Sequence, residues 1–478
     1  MANLKSLAKD TAIYGLSSIV GRFLNYLLVP LYTHYMPKDS GDYGISTNIY
    51  AYTALILVLL TFGMETTLFR FANDEKCKPD TVFSTVMATV SSLTLVFLLL
   101  IFGFITPISS ALGYAEHPDY LLMMAVVVAL DALQAIPFSF LRFQKRPIRF
   151  ASLKMLFVFL NIALNVIYFV LLGKTSVFYV FFINLLCTGF ITFFFIPDLF
   201  KIRWHFDGSL LRRMLSYSWP ILILGIAGIL NQVADKIIYR HLVPGPDGEV
   251  QLGIYGACVK IAMIMALITQ AFRYAYEPFV FGGGRSRESR ESQAAVMKYF
   301  VIFALLAFLV VMAYLDIFKY IIHSGYWEGL RAVPVVMMAE ILMSVYFNLS
   351  FWYKLAGKTW WGAVFSAAGC VVLLAVNIFG VPRFGYMACA WGGVAGYGVC
   401  VLLSYCVGHK LAPVPYDVKR ILAYFVLALS LYGLSVWFRP EPLGWRLAWN
   451  TLLVAVYFAA ALWFERELWL PALRRKKG

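Results

Sequence analysis

Charged and amide side chains set inside apolar stretches are the residues of this chain with chemistry to do. A charge at mid-bilayer costs at least about 2.5–3.5 kcal/mol on insertion scales, so it persists where it meets water, a partner or a substrate. Arg22 lies near the centre of the first apolar stretch. Asn25 and Tyr26 follow it, and Gly15 and Ser18 precede it, at spacings that put them on one helix face. A guanidinium on such a face suits an anionic head group. Small and polar residues on one face also suit plain helix packing. The seventh stretch repeats the theme: Asn231 shares a face with Asp235, and Gln232 with Lys236. Lys236 stands toward the outer third and can snorkel to the interface. Lys260, in the eighth stretch, is deeper. Asp131 in the fourth stretch and Glu340 in the tenth lie near mid-depth. These two acids can pair with the cations or load a coupling ion, H+ or Na+. The candidate substrate-binding residues are therefore Arg22, Asn25, Tyr26, Asn231, Asp235, Lys236 and Lys260. Asp131 and Glu340 are candidates for coupling or for ion pairs.

The elements that must position them follow from composition. The 478 residues are 61% hydrophobic and 14% charged, and mean hydropathy is +0.77. A soluble domain holds about 45–50% apolar and about 25% charged residues. This is an all-α polytopic membrane protein. A span needs about 20 apolar residues, which places spans near 11–33, 43–66, 81–106, 119–141, 150–172, 175–196, 215–240, 251–273, 296–318, 331–353, 360–379, 385–407, 420–437 and 445–464. The breaks carry Gly, Pro and charge, as in Pro37-Lys38-Asp39-Ser40-Gly41. No connection is long enough for a soluble catalytic domain of about 50 residues.

The formal charge is +15. Loops on the side of the amino terminus hold roughly 28 Lys and Arg against roughly 8 on the other, so the positive-inside rule puts both termini in the cytoplasm. The tail Arg474-Arg475-Lys476-Lys477 suits anionic headgroups. A basic, aromatic-interleaved soluble face is missing, which argues against nucleic acid as a partner. Seven cysteines without C-x-x-C and six histidines without H-x-x-x-H spacing give no zinc site, disulfide framework or cofactor. Gly282-Gly283-Gly284 lacks a following Gly-Lys-Ser/Thr and is no P-loop. It falls in what reads as the longest cytoplasmic linker, where two halves would join.

A weak repeat supports two halves. With Tyr43-Gly44 set on Tyr255-Gly256, six of the fourteen positions 43–56 match. Setting Gly44 on Gly253 is almost as good. His34 and His241 occupy equivalent ends of spans one and seven. Parallel repeats of this kind are common in secondary transporters, with the substrate between the halves.

The amino-terminal quarter carries Leu16-Ser17-Ser18-Ile19-Val20-Gly21-Arg22, Val29-Pro30-Leu31-Tyr32, Asp42-Tyr43-Gly44, Gly63 and Arg70. It resembles the Wzx-type polysaccharide (O-antigen) flippases of the multidrug/oligosaccharidyl-lipid/polysaccharide (MOP) superfamily, which are related to the lipid II flippase MurJ. The resemblance implies two six-helix lobes, residues 1–200 and 201–410, around a V-shaped cavity that works by alternating access. It implies that helices 13 and 14, within 411–464, form a groove for a polyprenyl tail, ahead of a basic cytoplasmic tail, 465–478. The implied substrate is an undecaprenyl-pyrophosphate-linked glycan, moved from the cytoplasmic to the periplasmic leaflet of a bacterial inner membrane. Arg22 would be the first-helix cation near the pyrophosphate. Span one lacks the mid-span acid that several cation-coupled drug exporters place there. A cation-coupled multidrug or metabolite exporter of the same fold is the alternative. A membrane glycan polymerase, ligase or glycosyltransferase would need a larger catalytic loop.

Overall fold

The computed structural model describes residues 20, 26–201, 204–283 and 287–466. No strand occurs among them. The helices are α1 (Leu28–Tyr35), α2 (Asp42–Ala72), α3 (Pro79–Gly103), α4 (Pro118–Phe143), α5 (Pro147–Leu171), α6 (Phe178–Phe200), α7 (Gly208–Leu242), α8 (Pro246–Gly283), α9 (Arg287–Ala313), α10 (Ser324–Leu355), α11 (Trp360–Phe384), α12 (Tyr386–Leu411), α13 (Val418–Trp437) and α14 (Leu443–Phe464). Thirteen of the described helices, α2–α14, have the length and apolarity to cross a membrane. The first expected span, 11–33, lies mostly outside the described residues, and α1 is its end.

Local chemistry sets the boundaries. Proline stands in the first turn of α3, α4 and α5, where its missing N–H costs nothing. Hydroxyls along α2 bond within the helix, as Thr47, Thr53 and Thr61 donate to the carbonyls of Tyr43, Ile49 and Leu57. Such internal satisfaction is what a water-free solvent demands. Phe62 and Gly63 are both left-handed, with φ of 50° and 67°, and they break α2. Glycine adopts this conformation freely, whereas Phe62 is strained there.

Two helices extend further than hydropathy suggests. α7 begins at Gly208 rather than near 215, because Asp207 caps it by accepting from the amides of Ser209 and Leu210. Those donors hold the exposed Asp207 carboxyl below the ordinary carboxylate range. α8 runs to Gly283, and α9 begins by Arg287. The expected long linker is therefore mostly helix, and Gly282 and Gly283 belong to α8.

Packing groups the helices. α2 packs on α4, α4 on α3 and α6, and α5 on α6. Further along, α7 packs on α11, α11 on α12, α12 on α10, and α10 on α8. These groups, the amino- and carboxy-terminal halves, meet where α2 crosses α7 and α8. The crossing is a backbone contact. A Cβ on Gly44 would overlap the Glu249 carbonyl and crowd the Gly253 amide, and one on Gly256 would strike Thr47. Close approach through small residues is how membrane helices gain dispersion energy without a hydrophobic effect. Gly44 therefore faces Gly253 across the junction. α13 and α14 pack on each other and on α9.

Candidate functional site

A cavity of about 370 Å³ lies between the two halves. Its amino-terminal wall is Tyr26 and residues of α1 and α2, including Tyr32, Tyr43, Ser46, Thr47 and Tyr50. Its carboxy-terminal wall draws on α7, α8, α10, α11 and α12. Of the residues singled out by sequence, Tyr26, Asn231, Asp235, Lys236, Lys260 and Glu340 all line it. Arg22 and Asn25 lie outside the described residues.

Asp235 and Lys236 form an ion pair, with the Lys236 Nζ 3.0 Å from Asp235 Oδ1. The same ammonium donates to the Gln232 carbonyl at 3.0 Å. Lys236 thus turns into the cavity wall and does not snorkel to the interface as its position suggested. The local carboxylate outcompetes distant headgroups for it. Tyr255 donates to Asp235 Oδ2 at 2.9 Å, completing that acid's shell.

Lys260 is held differently. Its ammonium lies 6.0 Å from the Tyr26 ring centroid. No carboxylate pairs with it among the described residues, and its charged neighbour is Lys236, of like sign. Glu340 lies within electrostatic reach of Lys236, and its Oε2 is buried without a hydrogen-bond partner among the described residues. Asn231 donates to the carbonyls of Ala227 and Ser366, at 2.9 and 2.8 Å, and leaves its buried Oδ1 unpartnered. Two orphaned buried polar atoms therefore line the cavity, Asn231 Oδ1 and Glu340 Oε2, and such atoms cost about 1–3 kcal/mol each.

Asp131 is not part of this cavity's lining. It stands on α4 within reach of Lys154 on α5 and of Tyr50. Lys154 in turn sits 4.0 Å over the Phe138 ring. The charged neighbour the structure gives Asp131 is therefore Lys154, within the amino-terminal half, rather than a cation of the cavity.

The carboxy-terminal wall is wired to the contact that closes the halves near the first turns of α2 and α8. Asn48 donates to the Lys236 carbonyl at 2.7 Å and accepts from the Tyr114 hydroxyl at 2.8 Å. Arg240 stacks 3.9 Å over Tyr114, donates to the Gly113 carbonyl and pairs with Glu249. His34 and His241 do stand in the last turns of α1 and α7, and His241 Nε2 meets the Tyr52 hydroxyl at 2.9 Å. Sequence reasoning missed Asn48, Tyr50, Tyr114 and Arg240. Asn48 lies one helical turn beyond Gly44, and that spacing on a helix of small and polar residues was the available signal. No metal-ligating cluster occurs among the described residues.

Residues 7–274 match the model of a family described as polysaccharide biosynthesis protein. The chain belongs to the polysaccharide biosynthesis protein family. No curated protein sequence matches the chain. Solved structures extend the likeness in fold. The lipid II flippase MurJ, in an inward closed conformation, matches with a TM-score of 0.74 at 14% identity, covering 96% of this chain and 99% of that one. An inward-facing multidrug resistance MATE family transporter of the MOP superfamily matches at 0.63 and 15% identity, covering 84% and 95%. A MOP superfamily transporter from Pyrococcus furiosus, noted for a binding pocket of reversed polarity, matches at 0.55 and 15% identity, covering 84% and 95%. The protein is a multi-pass membrane protein with the fold of MOP-superfamily transporters. Its family and fold are those of flippases and transporters.

Proposed function

We propose that this family member moves an undecaprenyl-pyrophosphate-linked oligosaccharide from the cytoplasmic to the periplasmic leaflet of a bacterial inner membrane. The observation that carries this reading is Lys260, an ammonium at the wall of a cavity between two halves with no carboxylate paired to it among the described residues. A pyrophosphate is the complementary group, and shielded cations bind it strongly. Lys236 supplies a second ammonium once the incoming anion competes with Asp235. By its sequence position Arg22 supplies a third. The lipid tail stays in the bilayer, against the α13–α14 pair. The lobes 1–200 and 201–410 rock about the Gly44–Gly253 contact, giving alternating access. The basic loops and both termini face the cytoplasm. A coupling cation, H+ or Na+, finds carboxylates at Asp235 and Glu340 and the unpartnered Oδ1 of Asn231.

The test is protein-dependent movement of a fluorescent polyprenyl-pyrophosphate-linked oligosaccharide in proteoliposomes, scored by an impermeant quencher with Na+ and pH gradients of either sign. Movement that is lost in Lys236→Ala and Lys260→Ala supports the proposal. Absence of movement under every gradient, with transport of small cationic dyes instead, would overturn it in favour of an exporter.

A further inference from the structure

The two walls of the cavity differ in chemistry. Among the described lining residues all four charges, Asp235, Lys236, Lys260 and Glu340, stand on the carboxy-terminal wall. The amino-terminal wall offers phenol rings and hydroxyls. Two of those rings are held in place from behind. The Tyr50 hydroxyl accepts from Asn184 Nδ2 at 2.9 Å, and its ring packs edgewise on Phe181 at 6.1 Å. The Tyr32 hydroxyl donates to Asn165 Oδ1 at 2.8 Å, and its ring packs edgewise on Phe169 at 5.6 Å. Asn165 is fixed by the Asn161 carbonyl at 2.8 Å, just before a π-helical turn, Val166–Leu171. Such turns are frequent at functional sites. Even so pinned, Tyr50 keeps 36% of its surface open. The Asp131 carboxylate lies within electrostatic reach of it.

A pyranose ring has an apolar C–H face and a rim of hydroxyls. An oriented aromatic ring matches the face, and amides and carboxylates match the rim. A rigid ring binds at little entropic cost. We propose that Tyr50, with Tyr32 and Asn184, is the saccharide platform of this cavity, and that Lys236 and Lys260 hold the pyrophosphate against the opposite wall. The head group then lies across the cavity from one half to the other. Tyr50 sets the preference for glycan-bearing over bare lipid. This assignment rests on the flippase reading above and adds to it which wall reads the sugar.

The experiment is a competition read by native mass spectrometry on the full-length protein. Undecaprenyl pyrophosphate is mixed in equal amount with the undecaprenyl-pyrophosphate-linked oligosaccharides extracted from the producing cells. The wild-type protein carries more of the glycan-bearing lipid. Tyr50→Ala lowers the ratio of glycan-bearing to bare complex by about two- to tenfold, the range an aromatic contact supplies. Tyr50→Phe, which keeps the ring, keeps the ratio. Lys260→Ala weakens both complexes together and leaves the ratio near the wild-type value. A wild-type ratio near one, or a Tyr50→Ala ratio equal to wild type, overturns the platform and leaves the pyrophosphate site standing. Failure of the wild-type protein to bind either lipid overturns the flippase reading itself, and this assignment with it.

Discussion

Charged groups gather among the apolar helices in two kinds of place, and their surroundings differ. At the ends of the α13–α14 pair two carboxylates, Asp316 and Glu465, are saturated. Asp316, in the connection after α9, meets Lys319 at 3.3 Å, Arg439 at 3.1 Å and Arg446 at 3.0 Å. Glu465, at the other end, meets Lys298 at 2.6 Å and Arg420 at 3.6 Å, with Tyr299 and Tyr424 donating at 3.4 and 3.3 Å. These two nodes pin the pair to α9, helped by Asn450 donating to the Ala313 carbonyl and Tyr457 to that of Ile302. In the central cavity Lys260 and Glu340 lack such shells. Among the carboxylates the contrast is plain: Asp316 and Glu465 are fully paired, whereas Glu340 leaves a buried oxygen without a partner among the described residues.

The contrast predicts opposite consequences for similar deletions. The largest effect falls on transport. Arg22→Ala and Lys260→Ala are each expected to lower glycan-lipid flipping at least tenfold with an unchanged melting temperature, measured on the same purified sample. A flipping rate near wild type would make the altered residue structural and erase the distinction. Glu465→Ala is expected to do the reverse. Breaking a buried ion pair from one side costs about 3–5 kcal/mol, so thermal unfolding in detergent should shift down by several degrees while flipping per folded molecule is retained.

A smaller effect comes from pH. Burial pushes the Asp316 carboxyl up, but hydrogen bonds from Arg446 and Lys319 and the charges of Arg439 and Lys319 outweigh it and hold it below the ordinary carboxylate range. A depressed folded-state value stabilises above the unfolded value of about 3.9 and loses that contribution as pH falls through the folded one. Asp316→Asn should therefore flatten the acid limb of the stability curve, and a limb as steep as wild type would remove Asp316 from the account. The smallest change is Asp207→Ala, which removes the side-chain cap of α7. It should raise hydrogen exchange in the first turn of α7 and leave the cavity untouched.

Much of this was legible in the residues. Hydropathy fixed the order of the helices, because a lipid solvent leaves little choice of element. Helical spacing brought Asn231, Asp235 and Lys236 to one wall, and depth picked out Lys260 and Glu340. Three things were out of reach. Spacing along one helix cannot reveal which helix lies opposite, so the choice for Asp131 between a coupling ion and an ion pair stayed open and its neighbour Lys154 went unnamed. It cannot separate a paired ammonium from an unpaired one, so Lys236 stood as a cavity candidate with snorkelling to the interface left open, and its ion pair with Asp235 went unseen. Hydropathy also stops at the membrane surface, whereas hydrogen bonding carries α7 and α8 beyond it. The uncertain register of the repeat has a spatial counterpart: Gly44 and Gly253 meet at the junction of the halves.

The most direct test of the central claim pairs one residue from each kind of place in a single assay. Lys260→Ala and Glu465→Ala are reconstituted side by side and scored for quencher-accessible movement of polyprenyl-pyrophosphate-linked oligosaccharide per folded molecule. The account predicts that movement disappears in Lys260→Ala and persists in Glu465→Ala. Equal movement in both, or loss confined to Glu465→Ala, would contradict it.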